Sequence, residues 1–188
     1  MRSQLSVKKR TRSVSYRIDA SVLEELSKEA ATNETSVNIL VNQVLRKFIE
    51  FDRYQLYLGI IPVPKQLLIE MISKYDDREI KFMAERTFRI LKDAVLFMRK
   101  ERDFDAYLYV LGRYVKVAGI ASDLKIDENR NTLVVQHDMG LKWSEFVKEL
   151  LTIIIENLTE QRADFELTES SVILRIELPD IIQKQLTV

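Results

Sequence analysis

The sequence has no cysteine, one histidine, one tryptophan, three prolines and four glycines. Without thiols it can have no disulfide framework and no thiolate metal site, a composition that suits a reducing cytoplasm, where the chain is expected to reside. A metal site built on one imidazole has only carboxylates to complete it, so no metal is expected. The scarcity of glycine removes the phosphate-cradling loops. Neither GxGxxG nor GxxxxGK[ST] occurs, which argues against dinucleotide binding and nucleotide hydrolysis, and no other cofactor is indicated. Long apolar runs are missing too. The richest cluster, Leu150-Leu151-Thr152-Ile153-Ile154-Ile155, has charged neighbours on both sides and falls far short of the ~20 residues of a bilayer span, so no membrane association is expected. There is no internal repeat and no low-complexity tract.

What is present suits a packed protein of one or two domains: 188 residues, 46% of them hydrophobic. Net charge is zero, but it is unevenly placed. Lysine and arginine number ten through Tyr54 against seven acids, a net +3, leaving the remainder at −3. Through Ala20 there is one acid, Asp19, against six bases. Three of those bases form the run Lys8-Lys9-Arg10. Such an arm can follow a phosphate backbone, or it can be a solvated tail.

Directly after the arm, Arg12-Ser13-Val14-Ser15-Tyr16-Arg17-Ile18 alternates polar and apolar side chains with the period of a strand. Val14, Tyr16 and Ile18 share one face. Ser13, Ser15 and Arg17 share the other, and these short or fork-shaped hydrogen-bonding groups can reach base edges in a major groove. Asp19 is positioned to cap a short helix whose apolar spacing runs Val22, Leu23, Leu26, Ala30. Asn33 is the residue expected in the left-handed conformation that ends it, and Thr35 the cap of the next. A second helix from about Ser36 carries Val37, Leu40, Val41, Val44, Leu45, Phe48 and Phe51 on one stripe, too wide for so small a unit to cover alone. The segment is therefore expected to fold as an intertwined dimer with its strands paired antiparallel.

This order of strand, capped short helix, polar turn and longer helix resembles the Arc/MetJ-like ribbon-helix-helix family, in which a two-stranded ribbon enters the major groove of DNA. The resemblance covers less than a third of the chain. It implies that Ser13, Ser15 and Arg17 read bases and that backbone amides at Thr35, Ser36 and Val37 hold a phosphate, with Lys8, Lys9, Arg10 and Arg12 on the DNA backbone. Val14, Tyr16, Ile18, Leu40 and Val44 would form the dimer core. Where the family turn usually carries glycine, this chain has Asn33.

Gly59 and the prolines of Tyr54–Pro64 predict a hinge, giving residues 1–58 as the DNA-binding and dimerisation domain and 59–188 as a second, α+β domain. In that domain helical spacing is expected from Lys65, from Asp76 to about Arg102, and from Phe104 to Gly119. A hairpin over Asp123–Ile126 and Thr132–Val135 follows, then a strongly periodic helix after Gly140, then a hairpin over Ala163–Leu167 and Val172–Leu178. Phe82, Phe88 and Phe97 lie off the main stripe of their helix, so that helix is expected to bury more than one face, against its own domain and a partner chain.

His137 and Asp138 are adjacent and face opposite ways, with no nucleophile placed to complete a triad, so a hydrogen-bonded turn is the simpler reading and no catalytic residue is proposed. Tyr107, Tyr109, Tyr114 and Trp143 are read as core or interface in preference to a ligand pocket. Together these readings predict a non-enzymatic, homodimeric, sequence-specific regulator of transcription bound to double-stranded DNA, a repressor or autoregulator. Its second domain would assemble dimers or sense a signal. The alternatives are an antitoxin that binds a toxin through that domain, and a protein-interaction scaffold that uses the ribbon only to dimerise.

Overall fold

The computed structural model describes residues 11–126, 131–159 and 161–177. Among them are six α-helices and a four-stranded antiparallel sheet, an α+β protein. The chain divides into two compact units at Glu50/Phe51, earlier than the boundary expected after residue 58. The reason lies in the aromatic residues that follow Glu50. Phe51 is 2% exposed and meets Tyr114 edge-on at 5.2 Å, and the rings of Tyr54 and Tyr57 lie against Phe97. The segment read as a hinge thus packs with the helices that come after it.

In the first unit, α1 (Ala20–Thr32) and α2 (Val37–Glu50) form a helix pair. Asp19 caps α1 as expected, its carboxylate accepting from the Ser21 amide at 3.0 Å. The turn differs in detail. Asn33 stays at φ −92°, and Glu34 takes the left-handed position at φ 50°. Glu34 N–H then donates to Ala31 O and Thr35 N–H to Ala30 O, the paired bonds that close a helix end around one left-handed residue. Asn33 instead donates from its side chain to the Glu29 carbonyl and carboxylate. Ser36, not Thr35, caps α2, accepting from the Ile39 amide at 3.2 Å.

No strand is assigned over residues 11–19, where a ribbon was expected; all four strands lie between residues 121 and 176. A strand exists through hydrogen bonds to a neighbouring strand, and among the described residues no strand lies beside residues 11–18.

The second unit begins with a 3-10 turn at Asp52–Tyr54, then α3 (Lys65–Ile72), α4 (Asp77–Arg99), α5 (Phe104–Val117), β1 (Ala121–Ile126), β2 (Asn131–Gln136), α6 (Leu141–Leu158), β3 (Ala163–Leu167) and β4 (Ser171–Ile176). Sheet order is β1-β2-β4-β3. The two hairpins sit side by side because β2 and β4 pair directly, Leu133 opposite Leu174 and Val135 opposite Val172. Val172, Leu174 and Ile176 alternate inward and are buried, with the helices packed on their side. Of the turn expected at 127–131, Asn131 begins β2 and residues 127–130 lie outside the described residues, as does the expected end of the last strand at Leu178.

α4 starts at a full capping box between Asp76 and Glu79 and stops at Lys100, left-handed at φ 62°, a little before the expected Arg102. Its face Ile80, Ala84, Phe88, Leu91 and Val95 joins Tyr107 and Val110 of α5 and Leu150, Ile154 and Ile155 of α6 in the core. Phe88, expected on a second face, belongs to this one. Each large side chain fully covered here contributes about 1.5–3 kcal/mol relative to exposure, and it is this burial, not local propensity, that holds the helices to the sheet.

Candidate nucleic-acid interface

Residues 12–18 are exposed throughout, so Ser13, Ser15 and Arg17 are accessible, and so is Arg12. The intended dimer face is exposed as well: Val14 is 65% and Tyr16 69% accessible, and Ile18 40%. On α2, Leu40 is half-buried and Val44 is 53% exposed, and no residue of that helix is buried. In the first unit only Ala30 is buried among the described residues. The helix pair therefore carries an apolar face that a single chain does not cover.

At the start of α2 the Ser36 hydroxyl takes the Ile39 amide, which leaves the amides of the first turn, Val37 and Asn38, without an intrahelical acceptor. They point out of the positive end of the helix dipole, an arrangement that favours an anion. The amide of Thr35, expected at this anchor, donates to Ala30 O at 2.9 Å. Asn38 was not singled out from sequence; once Ser36 is recognised as the cap, its place in the first turn identifies it.

Lys28 is tied to Glu24 and Glu25 at 2.9 and 2.8 Å, which raises its pKa and spends its charge locally. Asp19 is held below the usual carboxylate range by its bonds to the Ser21 hydroxyl and amide. Lys8, Lys9 and Arg10 lie outside the described residues.

No protein-family model matches this chain, and no curated protein is significantly similar to it.

The second unit uses its polar singletons for structure. His137 is 1% exposed at the end of β2; its Nδ1 accepts from the Met139 amide at 3.0 Å and its Nε2 meets Ser144 Oγ at 2.9 Å. Ser144 Oγ in turn donates to the Thr168 carbonyl at 2.5 Å. An amide can only donate, so Nδ1 is unprotonated and the imidazole is the neutral Nε2–H form. Burial pushes its pKa down, the Asp138 charge opposing and Lys65 assisting. Among the described residues no three His, Asp or Glu side chains converge as metal ligands. Each of the four aromatic residues considered for a pocket has a ring or cation contact of its own: Tyr107 stacks on Phe88, Tyr114 meets Phe51, Tyr109 takes the Arg99 and Arg113 guanidinium groups, and Trp143 leans on Phe146. No described helix is long and apolar enough to cross a membrane.

Proposed function

We propose that the chain is a sequence-specific DNA-binding regulator of transcription, acting as a dimer whose residues 12–18 pair antiparallel and enter the major groove as a ribbon. The observation that carries this reading is the uncovered apolar face of the first unit, continuous in type from Val14, Tyr16 and Ile18 to the buried-residue-free α2, beside an exposed polar set of Ser13, Ser15 and Arg17. Pairing with a second copy gives the strand its missing hydrogen-bond partner and the helices their missing core in one step. The Val37 and Asn38 amides are then the phosphate anchor, and Lys8, Lys9, Arg10 and Arg12 follow the DNA backbone. This function involves no catalysis and no cofactor.

Selection of bound sequences from random double-stranded DNA by the full chain, followed by titration of Arg17→Ala on the selected site, tests the reading. A guanine contact by Arg17 predicts a loss of about 1–3 kcal/mol on that site and relaxed preference at one position, with a smaller loss on random DNA. Failure to enrich any sequence, with dimerisation intact, favours a scaffold in which the ribbon only dimerises. The antitoxin alternative has less in its favour, because the region after Tyr54 is a packed domain and not a short tail.

A further inference from the structure

α4 is apolar on two opposite faces. One face lies in the core. At about 100° per residue, Phe82, Arg86, Ile90, Asp93 and Phe97 fall on the other, within a stripe about 80° wide. Phe82 is 57%, Ile90 62% and Phe97 50% exposed, and both charged residues are exposed. Solvent-facing helix surfaces usually carry polar groups, so three large apolar side chains aligned over four turns mark a surface meant to be covered.

The order of residues identifies what covers it. About a midpoint between residues 89 and 90, the stripe is self-complementary when its direction is reversed: Phe82 lies opposite Phe97 of a second copy, Arg86 opposite Asp93, and the two Ile90 side chains meet beside the axis. A parallel copy would set Arg86 on Arg86 and Asp93 on Asp93, which like-charge repulsion opposes. A two-fold axis needs this kind of self-matching surface. Its ends are already organised within the chain. The Arg86 guanidinium lies over the Phe82 ring at 5.4 Å, and the Tyr54 and Tyr57 rings hold Phe97 from one side while leaving it half exposed.

We propose that α4 is a self-association surface, its outer stripe packing antiparallel on the same stripe of a second copy of this chain, with reciprocal Arg86–Asp93 ion pairs flanking Ile90. This contact lies wholly in the second unit and does not depend on the DNA-binding reading.

The chain has no cysteine, so single-cysteine variants of the full-length protein report the contact cleanly. Ile90→Cys sits beside the axis and should form a disulfide-linked dimer under mild oxidation at least tenfold faster than Glu156→Cys, an exposed site on α6. A mixture of Arg86→Cys and Asp93→Cys chains should give the mixed disulfide ahead of either homodimer. Within the Ile90→Cys background, Arg86→Glu or Asp93→Arg should lower the yield, and the double exchange should restore it, which also controls for folding. Equal cross-linking at Ile90→Cys and Glu156→Cys, faster homodimers in the mixture, or a double exchange no better than the single ones would overturn the proposal.

Discussion

His137 Nε2 lies 2.9 Å from Ser144 Oγ, seven residues on, and this bond joins the end of β2 to the first turn of α6. Because the buried ring is neutral and its pKa is lowered from 6.5, the unfolded chain binds a proton that the native chain does not over the interval between the two values. The stability that depends on neutral His137 is complete above about pH 6.5 and is lost as the pH falls through that interval. Urea unfolding measured from about pH 8 to pH 5 should show the decline, and His137→Asn, whose side-chain oxygen can take the Met139 amide, should remove that part of it. A flat profile in the parent protein would refute the assignment, since this is the only histidine.

Ser144→Ala leaves the buried His137 Nε2–H and the Thr168 carbonyl without this partner. The expected cost is about 1–3 kcal/mol, with the fold retained. A loss below a few tenths in denaturant titrations would mean that the bridge is not carrying the β2–α6 junction.

Glu34 holds a left-handed conformation that side chains with a Cβ adopt at a cost of about 1–2 kcal/mol. Glycine relieves that cost but gives back part of it through the greater freedom of the unfolded chain. Glu34→Gly should therefore stabilise the first unit by roughly 0.5–1 kcal/mol. The same change at Asn33, which is not left-handed, should not stabilise. Thermal unfolding of the two variants side by side distinguishes them.

Tyr16→Asp should abolish dimerisation through the first unit, whereas Ser15→Asp should preserve it and weaken DNA binding. Sedimentation of full-length chains, made in an Arg86→Glu background that removes the α4 contact, reads the first unit alone. The reverse pattern would shift the strand register by one residue and move the reader positions with it.

Alanine at Lys8, Lys9 and Arg10 should weaken selected and random DNA alike and flatten the dependence of log K on log salt, because fewer counterions are released. An unchanged slope would leave the arm as a solvated tail.

Periodicity made the second unit legible. The helix after Gly140 and strands β2, β3 and β4 occupy the positions that apolar spacing indicates, because each packs one face against neighbours in the same chain. The turn between α1 and α2 was legible in outline only. Which of two adjacent residues goes left-handed, and which of two adjacent hydroxyls caps, is settled by differences of well under the energy of one core side chain, and composition does not resolve them. The division at Glu50/Phe51 falls earlier than the bend that prolines and Gly59 mark, because Phe51, Tyr54 and Tyr57 find rings to pack on. The α4 stripe was half legible: Phe82 and Phe97 stand outside the core face, but Phe88 was grouped with them although its angle around the helix places it inward.

The order β1-β2-β4-β3 leaves β1 and β3 as the margins of the sheet. β1 offers Asp123 and Lys125 there, and β3 offers Asp164 and Glu166, all exposed. An incoming strand would have to lay its own side chains beside these charges, so the sheet is a poor template for fibrillar growth.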